Sequence, residues 1–278
     1  MMRTWLLTIL VCLAVFPAAA QQDCIPVHAI DQEHLAFKSG EVLNLVLHYK
    51  WGAINSDVGK ASISIDSTVV SGVSCYHIKL SARTARFYDV FFKVREGFES
   101  WVTCDGLRPV RFTRDTQENT YRATNKYVYR WDTDEPYVEA NVYTSSIGAK
   151  LLALPVNSCT FDLPALFMVA RNADFSRIEK GVPYPMSFLI DDDRFNVRFT
   201  LLGDDTRTFK GIGTIPCKKF AIEVVAGELF SGKEDLYMWL SDDGNRIPVW
   251  FEAPFKIGNV SGRMERVTGT RYPLKTTE

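Results

Sequence analysis

Two similar stretches decide the fold of this chain: Trp101-Val102-Thr103-Cys104-Asp105-Gly106-Leu107-Arg108-Pro109-Val110-Arg111-Phe112 and Trp239-Leu240-Ser241-Asp242-Asp243-Gly244-Asn245-Arg246-Ile247-Pro248-Val249-Trp250-Phe251. Each has a tryptophan four residues before an Asp-Gly pair, followed by an arginine, a proline and a phenylalanine. Upstream of these stretches, Gly72 corresponds to Gly213 and Cys75 corresponds to Cys217. A duplicated unit has to bury its apolar face, and its own twin is the nearest partner. The sequence therefore predicts two homologous units that pack against each other.

Alternation of apolar and polar residues, interrupted by turn residues, predicts many antiparallel strands in both copies. The strands predicted in the first copy are 42–49, 59–65, 75–82, 88–94, 97–104 and 110–115. Those of the second copy are 184–190, 195–202, 207–215, 218–225, 236–241 and 248–252. A hairpin, 121–131 with 137–144, lies between the copies. We expect an all-β fold in which duplicated antiparallel β units form a curved sheet pair or open barrel, with one short helix.

The boundaries of this organisation follow from the repeat. Repeat one covers 38–115, an inserted hairpin and helix cover 116–178, and repeat two covers 179–257, all within a β domain of 36–272. The helix is predicted at 162–172, because Asp162 can cap its first turn and Pro164 is tolerated there. It is interpreted as a plug over an opening or sheet edge. The alternative is a connector packed on the outside.

The first 20 residues have the pattern of a secretory signal, with Arg3, an apolar run and small residues at the predicted cleavage site. The mature protein is expected to begin at Gln21, with a flexible segment over 21–35. No later segment is apolar enough to cross a membrane as a helix, so a soluble periplasmic protein is expected. Location at the cell surface or outer membrane remains an alternative. A membrane-spanning β-barrel is disfavoured by charges on both faces of the predicted strands.

Five cysteines remain after removal of the signal: Cys24, Cys75, Cys104, Cys159 and Cys217. In an oxidising compartment this odd number predicts up to two disulfides and a spare thiol. The equivalent positions of Cys75 and Cys217 make them candidates for one pair, although the favoured interpretation is that both are small buried apolar residues. Without a Cys-x-x-Cys pair, a zinc ribbon or thioredoxin-type site is not expected.

Charge and composition exclude one large class of partner. The net charge is −1 and the basic residues are scattered, so binding of nucleic acid is not expected. The hydrophobic content of 46% is ample for a packed core.

Several short motifs resemble a known family of exported bacterial proteins. They are Phe37-x-x-Gly40-Glu41-x-Leu43, Tyr49-x-Trp51-Gly52-x-Ile54, Val58-Gly59-Lys60-Ala61, Phe161-Asp162-Leu163-Pro164-Ala165-Leu166-Phe167 with Arg171, Trp239-x-x-Asp242-Asp243-x-Asn245-Arg246-Ile247-Pro248-Val249, and Ile257-Gly258-Asn259-Val260. Together they are similar to domain of unknown function 3108 (DUF3108) over about residues 36–267. The resemblance implies an all-β envelope protein, common in Gram-negative lineages, and carries over no catalytic residues.

Patterns for catalysis or metal binding are weak, so no catalytic residue, metal ligand or cofactor is predicted. No Gly-x-Ser-x-Gly motif occurs. His48 and His77 lie in predicted strands and could approach each other, but two strand histidines are more often partly buried polar residues. The aspartate runs 191–193, 204–205 and 242–243 suit hairpin turns better than calcium. Carboxylate pairs such as Glu96 with Glu99, or Glu228 with Glu234, stay open as glycosidase candidates until their distance is known.

Trp101 and Trp239 are the weak candidates for ligand binding, as aromatic platforms for a sugar or lipid. The competing interpretation, which we favour, is that each fills the core beneath its turn. The predicted structural turn residues are Asp105, Gly106, Pro109, Asp243, Gly244 and Pro248, with the aspartates expected to fix the turns by local hydrogen bonds.

Three functions are compatible with these patterns. The first is an exported envelope protein that binds or carries an apolar or envelope-derived ligand, such as a lipid or glycan, in a hollow between curved sheets. The second is an assembly component that binds other envelope proteins through sheet edges. The third, a glycan hydrolase, requires convergent carboxylates in a cleft.

Overall fold

The fold is a single curved β-sheet with one α-helix, seen in a computed structural model that describes residues 24–27, 34–224, 236–254 and 258–277. The predicted signal segment lies outside these residues. The strands are β1 (Glu41–Trp51), β2 (Ile54–Val70), β3 (Val73–Thr84), β4 (Val94–Thr103), β5 (Pro109–Glu118), β6 (Tyr121–Arg130), β7 (Tyr137–Thr144), β8 (Gly148–Pro155), β9 (Thr160–Phe161), β10 (Pro183–Ile190), β11 (Asp193–Phe209), β12 (Gly213–Val224), β13 (Leu236–Ser241), β14 (Pro248–Pro254) and β15 (Asn259–Thr268). The helix is α1 (Leu163–Arg171). The all-β prediction is confirmed.

The fifteen strands follow the order β8-β7-β6-β5-β4-β3-β2-β1-β15-β14-β13-β12-β11-β10-β9. Neighbouring strands are antiparallel except for β9, which runs parallel to β10. The first strand pairs with the last, from Val42 opposite Thr268 to Lys50 opposite Asn259. This pairing joins the two copies edge to edge, so they share one sheet instead of forming two separate sheets.

The repeat is visible in the strand registers. Each tryptophan lies opposite the residue two positions after the equivalent cysteine, Trp101 opposite His77 and Trp239 opposite Lys219. Each copy then has a β-bulge immediately after that tryptophan. A bulge adds one residue and increases the local twist of the strand. The two hairpins, β4–β5 and β13–β14, are therefore local structural equivalents.

The main core contains residues of both copies. Leu43, Ile63 and Ile78 belong to the same buried cluster as Phe199 and Ile215. Helix α1 lies inside this core, with Pro164, Ala165, Leu166, Met168, Val169, Ala170 and Arg171 buried. It packs against β3, β4, β9 and β10. The helix is therefore an internal plug, and the alternative of an external connector is wrong.

The C-terminal end of α1 carries a buried ion pair. The Arg171 guanidinium donates to the Glu41 carboxylate at 2.6 and 3.2 Å, and both side chains are almost fully buried. It also donates to the carbonyl oxygens of Ala36 and Asn245. One side chain thus joins the helix to the start of β1 and to the β13–β14 turn. These contacts bring together residues from three of the sequence motifs quoted above.

Four details of the predicted secondary structure are corrected. The strand predicted at 88–94 does not form, because Tyr88–Val90 are a short 3₁₀ helix within the β3–β4 connection and β4 begins only at Val94. The strands predicted at 195–202 and 207–215 are mostly one strand, β11, whose bulge at Gly203 replaces the expected turn. Strands β8 and β15 were not predicted. Apolar and polar residues do not alternate along β8, and β15 pairs with the distant β1, so local periodicity reveals neither strand.

The candidate disulfide between Cys75 and Cys217 is not formed. Both are free and buried, on β3 and β12, which lie six positions apart in the sheet. Burial raises the pKa of the Cys217 thiol to about 12, so it stays protonated. The disulfide in the described residues joins Cys24 to Cys159 and ties the N-terminal segment to the start of β9.

Candidate interaction site at one end of the sheet

Exposed apolar side chains collect at one end of the sheet. In an antiparallel sheet alternate connections lie at the same end, which places the β1–β2 tip beside the β3–β4 connection. The large exposed apolar side chains of these two connections, which we call the aromatic end, are Trp51, Ile54, Phe87, Val90, Phe91 and Phe92. Phe87, Val90 and Phe91 are the most exposed, at 73%, 83% and 76%. A contiguous exposed apolar patch is a sign of an interaction surface.

The two connections are held together by hydrogen bonds. The Tyr88 hydroxyl lies 2.6 Å from the Ser56 hydroxyl of β2. The Ala85 amide donates to the Val58 carbonyl at 2.8 Å. Further along, the Lys93 amide donates to the Asn119 side chain at 2.8 Å, which ties the connection to the β5–β6 turn. The exposed aromatics therefore extend from a fixed base.

An internal clamp fixes the 3₁₀ helix between its flanking strands. The Thr84 hydroxyl donates to Asp89 at 2.6 Å, and the Arg95 guanidinium donates to the same carboxylate at 3.0 Å. These bonds lower the pKa of Asp89 to about 2, because both stabilise its charged form. The only acid in the connection is thus paired with an arginine of β4.

Basic side chains surround the aromatic end. Lys50 and Arg86 are exposed beside Trp51 and Phe87, and Lys93 is half-buried where the connection enters β4. Since Asp89 is paired with Arg95, the outer rim of this end is positively charged. An apolar tip with a cationic rim suits a partner that is apolar and anionic.

The interior, in contrast, is filled. A pocket lined by Ile25, Ala170, Phe199, Phe220, Ile222, Met238 and Leu240 has about 220 Å³ of space that is partly open to solvent, and it has no room for a water molecule. Sites for drug-sized ligands usually range from about 300 to 1,000 Å³. The hollow expected between the curved sheets is therefore occupied by α1 and the core side chains.

Two acidic side chains, Asp162 before α1 and Glu96 on β4, are shielded from water. Asp162 accepts hydrogen bonds from the Ala165 amide and the Ser100 hydroxyl, both at 2.9 Å. Burial raises the pKa of Asp162 to about 7. Glu96 accepts from Thr116, and burial again raises its pKa to about 7. Water exclusion is the main cause in both cases.

The two repeat tryptophans differ in exposure. Trp239 is 1% exposed, and its indole nitrogen donates to Asp205 at 2.7 Å. Arg207 covers the ring at 3.9 Å from its centroid. Trp101 is half-buried and stacks on His77 at 4.3 Å. Trp239 is therefore a packing residue and has no free face for a ligand, whereas part of Trp101 is accessible.

The predicted turn residues behave differently in the two copies. The Asp243 carboxylate accepts from the Ser241 hydroxyl and the Asn245 amide at 2.9 Å each, and from the Lys275 amide at 3.0 Å. Asp105 is exposed and makes no side-chain hydrogen bond within the described part of the chain. Pro109 and Pro248 both start the returning strand, while Gly106 and Gly244 lie within the turns.

The other candidate side chains are not brought together. His48 of β1 contacts Asp57 at 2.9 Å and His77 of β3 contacts Glu99 at 2.6 Å, and β2 lies between these two strands. Within the described ranges no group of three or more histidines, cysteines or acids could hold a metal. Acids of the aspartate runs are bound by basic or indole side chains: Asp191 by Arg114, Asp192 by Lys150, Asp204 and Asp242 by the shared Lys218, and Asp205 by Trp239.

Glu96 and Glu99 do not form a glycosidase pair. Glu96 and Glu99 are separated by three residues on β4, so their side chains point to opposite faces of the sheet. They cannot flank one glycosidic bond. Glu228 and Glu234 lie outside the described residues.

Sequence reasoning missed the aromatic end because it interpreted residues 88–94 as a strand. A signal was present: Phe91 and Phe92 are adjacent, and with Phe87 and Val90 they break the alternation expected of a half-buried strand. Adjacent apolar residues beside Arg86 and Lys93 are typical of an exposed apolar loop.

A family model describes the same β-sheet region. The model, described as "Protein of unknown function (DUF3108)", matches residues 46–265. The chain belongs to the DUF3108 family. This DUF3108 protein is also similar in fold to the "Beta-barrel-like Protein of Domain of Unknown Function DUF1849 from Brucella abortus", with a TM-score of 0.54 and 11% identity. That likeness covers 84% of this chain and 98% of the other, and at this identity it concerns the fold alone. No curated protein matches the chain.

Its described helix is too short to cross a membrane. Among the described residues of this DUF3108 protein, no helix has the length and apolarity of a membrane span.

Proposed function

We propose that this DUF3108 protein is an exported envelope protein that binds an apolar, envelope-derived partner at the aromatic end of its sheet. The observation that carries the proposal is the contrast between a filled interior and an exposed apolar end. The pocket near α1 has no room for a water molecule, while Phe87, Val90 and Phe91 are each more than two-thirds exposed. A surface site replaces the interior site expected from the sequence.

Export is supported by two independent features. The first 20 residues have the pattern of a secretory signal. The Cys24–Cys159 disulfide is of the kind that persists in oxidising compartments such as the periplasm. We therefore place the proposed binding function in the periplasm.

Hydrogen–deuterium exchange with a nonionic alkyl detergent below its micelle concentration tests where an apolar ligand binds. We expect slower exchange of amides in 51–54 and 85–93, because bound alkyl chains exclude water from them. Amides of α1 and of β11–β13, which line the interior pocket, serve as the internal control. Slower exchange at α1 alone would favour interior binding and refute the proposal.

A second candidate function is supported by strand β8. This strand ends the sheet, and the side chain of Leu151 is 80% exposed. Edge strands can pair with an added strand of another protein. Binding of an envelope protein by β8 should be abolished by Leu151→Pro, which removes a backbone donor and should leave detergent binding at the aromatic end unchanged.

A further inference from the structure

The β3–β4 connection is a projecting loop and not a groove. Phe87, Val90, Phe91 and Phe92 are all exposed, so no described segment covers the side of the connection that carries them. A projecting loop cannot enclose an alkyl chain. It can enter an apolar phase that deforms around it, and the acyl region of a lipid bilayer is such a phase.

The composition of this end fits the boundary between water and lipid. Aromatic side chains with an amphipathic ring, such as Trp51, favour the headgroup level. The neighbouring Lys50 and Arg86 lie where anionic headgroups would be, and long basic side chains can reach them while their stems stay in apolar surroundings. Apolar insertion and charge attraction then act at the same contact.

The β3–β4 connection is also preorganised for binding. Arg95 and Thr84 hold Asp89, and Ser56 holds Tyr88, so the backbone below the exposed side chains is already fixed. Binding therefore orders few additional groups, which lowers its entropic cost.

We propose that the aromatic end docks this protein onto a lipid bilayer with anionic headgroups, with Phe87, Val90 and Phe91 entering the bilayer interface. This inference rests on the proposed function and deepens it by naming the partner. The sheet would then stand on the membrane by its strand tips. The β2–β3 turn, with Val69 and Val73, would face away from the membrane.

Vesicle binding by the exported protein, with its N-terminus established by mass spectrometry, tests the inference. The wild type is compared with Phe87→Ser/Phe91→Ser, and with Val69→Ser/Val73→Ser as a matched control at the opposite end of the sheet. Flotation is measured with phosphatidylcholine vesicles with and without phosphatidylglycerol, at low and high salt. Thermal unfolding of each variant checks that the fold is intact.

We expect the wild type to bind the phosphatidylglycerol vesicles more tightly than the neutral ones. Each inserted phenylalanine contributes about tenfold to the affinity, so the double variant should bind about 100-fold more weakly. The control should bind like the wild type. Lys50→Gln/Arg86→Gln should weaken binding and reduce its dependence on salt.

Three results would overturn the inference: wild-type protein that binds no vesicles, a phenylalanine variant that binds like the wild type, or equal loss in the control. Equal binding to neutral and anionic vesicles would overturn the role of the headgroups. If the detergent still slows hydrogen exchange in 85–93 while the protein binds no vesicles, the bilayer is not the partner, and the proposed apolar binding surface stands. If neither binds, both proposals fail.

Discussion

Replacing Arg171 with methionine should destabilise the fold more than any change at the surface. The substitution keeps most of the side-chain volume but leaves the Glu41 carboxylate, 2% exposed, without its cation. It also removes the donor to the carbonyl oxygens of Ala36 and Asn245, both of which belong to buried residues. An uncompensated buried charge costs about 3–5 kcal/mol, so we expect a loss of at least about 3 kcal/mol in the free energy of unfolding.

The loss is measurable by heat and by urea. For a chain of this size, 1 kcal/mol corresponds to roughly 2–4 °C in Tm, so Arg171→Met should lower Tm by about 6 °C or more. Arg130→Met is the matched control, because its ion pair with Glu139 is roughly half exposed on both sides. Exposed pairs contribute about 0–1 kcal/mol, and the control should therefore stay within that range.

A double-mutant cycle separates the ion pair from the packing. Glu41→Gln/Arg171→Met removes both charges and should recover part of the stability lost in Arg171→Met, because no charge is then left buried. If Arg171→Met changes the free energy of unfolding by less than about 1 kcal/mol, the reasoning is refuted. It is also refuted if the losses of the two single variants simply add.

The remaining predictions concern pH and the disulfide. Because burial raises the pKa of Asp162 from 3.8 in the unfolded chain to about 7, the folded state holds a proton that the unfolded state has lost. Its contribution therefore makes the protein less stable as pH rises from about 4 to about 7, by up to about 1.4 kcal/mol per pH unit. Asp162→Asn keeps the helix cap and should reduce the pH dependence of the free energy of unfolding, measured with urea at pH 4.5 to 7.5. The part due to Glu96, which has the same sign, should remain. An unchanged pH dependence would contradict the raised pKa of Asp162. Cys24→Ser/Cys159→Ser removes a disulfide between residues 135 positions apart and should lower the free energy of unfolding by about 2–5 kcal/mol. Cys104→Ser, a free thiol, is the control, and equal stability of the two variants would show that the link does not constrain the unfolded chain.

Local patterns determined much of the fold. The alternation of apolar residues predicts β1, β3 and β7 within a few residues, because the side chains on a strand alternate between core and solvent. Asp162 and Pro164 predict the start of α1, since a cap and a first-turn proline depend only on local backbone groups. The repeat predicts equivalent hairpins, and the bulges after Trp101 and Trp239 are in matching places.

Tertiary structure decided how these elements combine. Pairing of β1 with β15 depends on strands more than 200 residues apart, which no local pattern specifies. Burial of Arg171 beside Glu41 and the joining of Cys24 to Cys159 likewise arise only when distant segments meet. The aromatic end became visible for the same reason: whether Phe87 and Phe91 face core or water depends on what the rest of the chain leaves uncovered. The sequence alone thus determined the strands, the helix start and the repeat, because these depend on neighbouring residues. Only the folded chain decided the sheet order, the filled interior and the exposed apolar end, because burial is a property of the whole molecule.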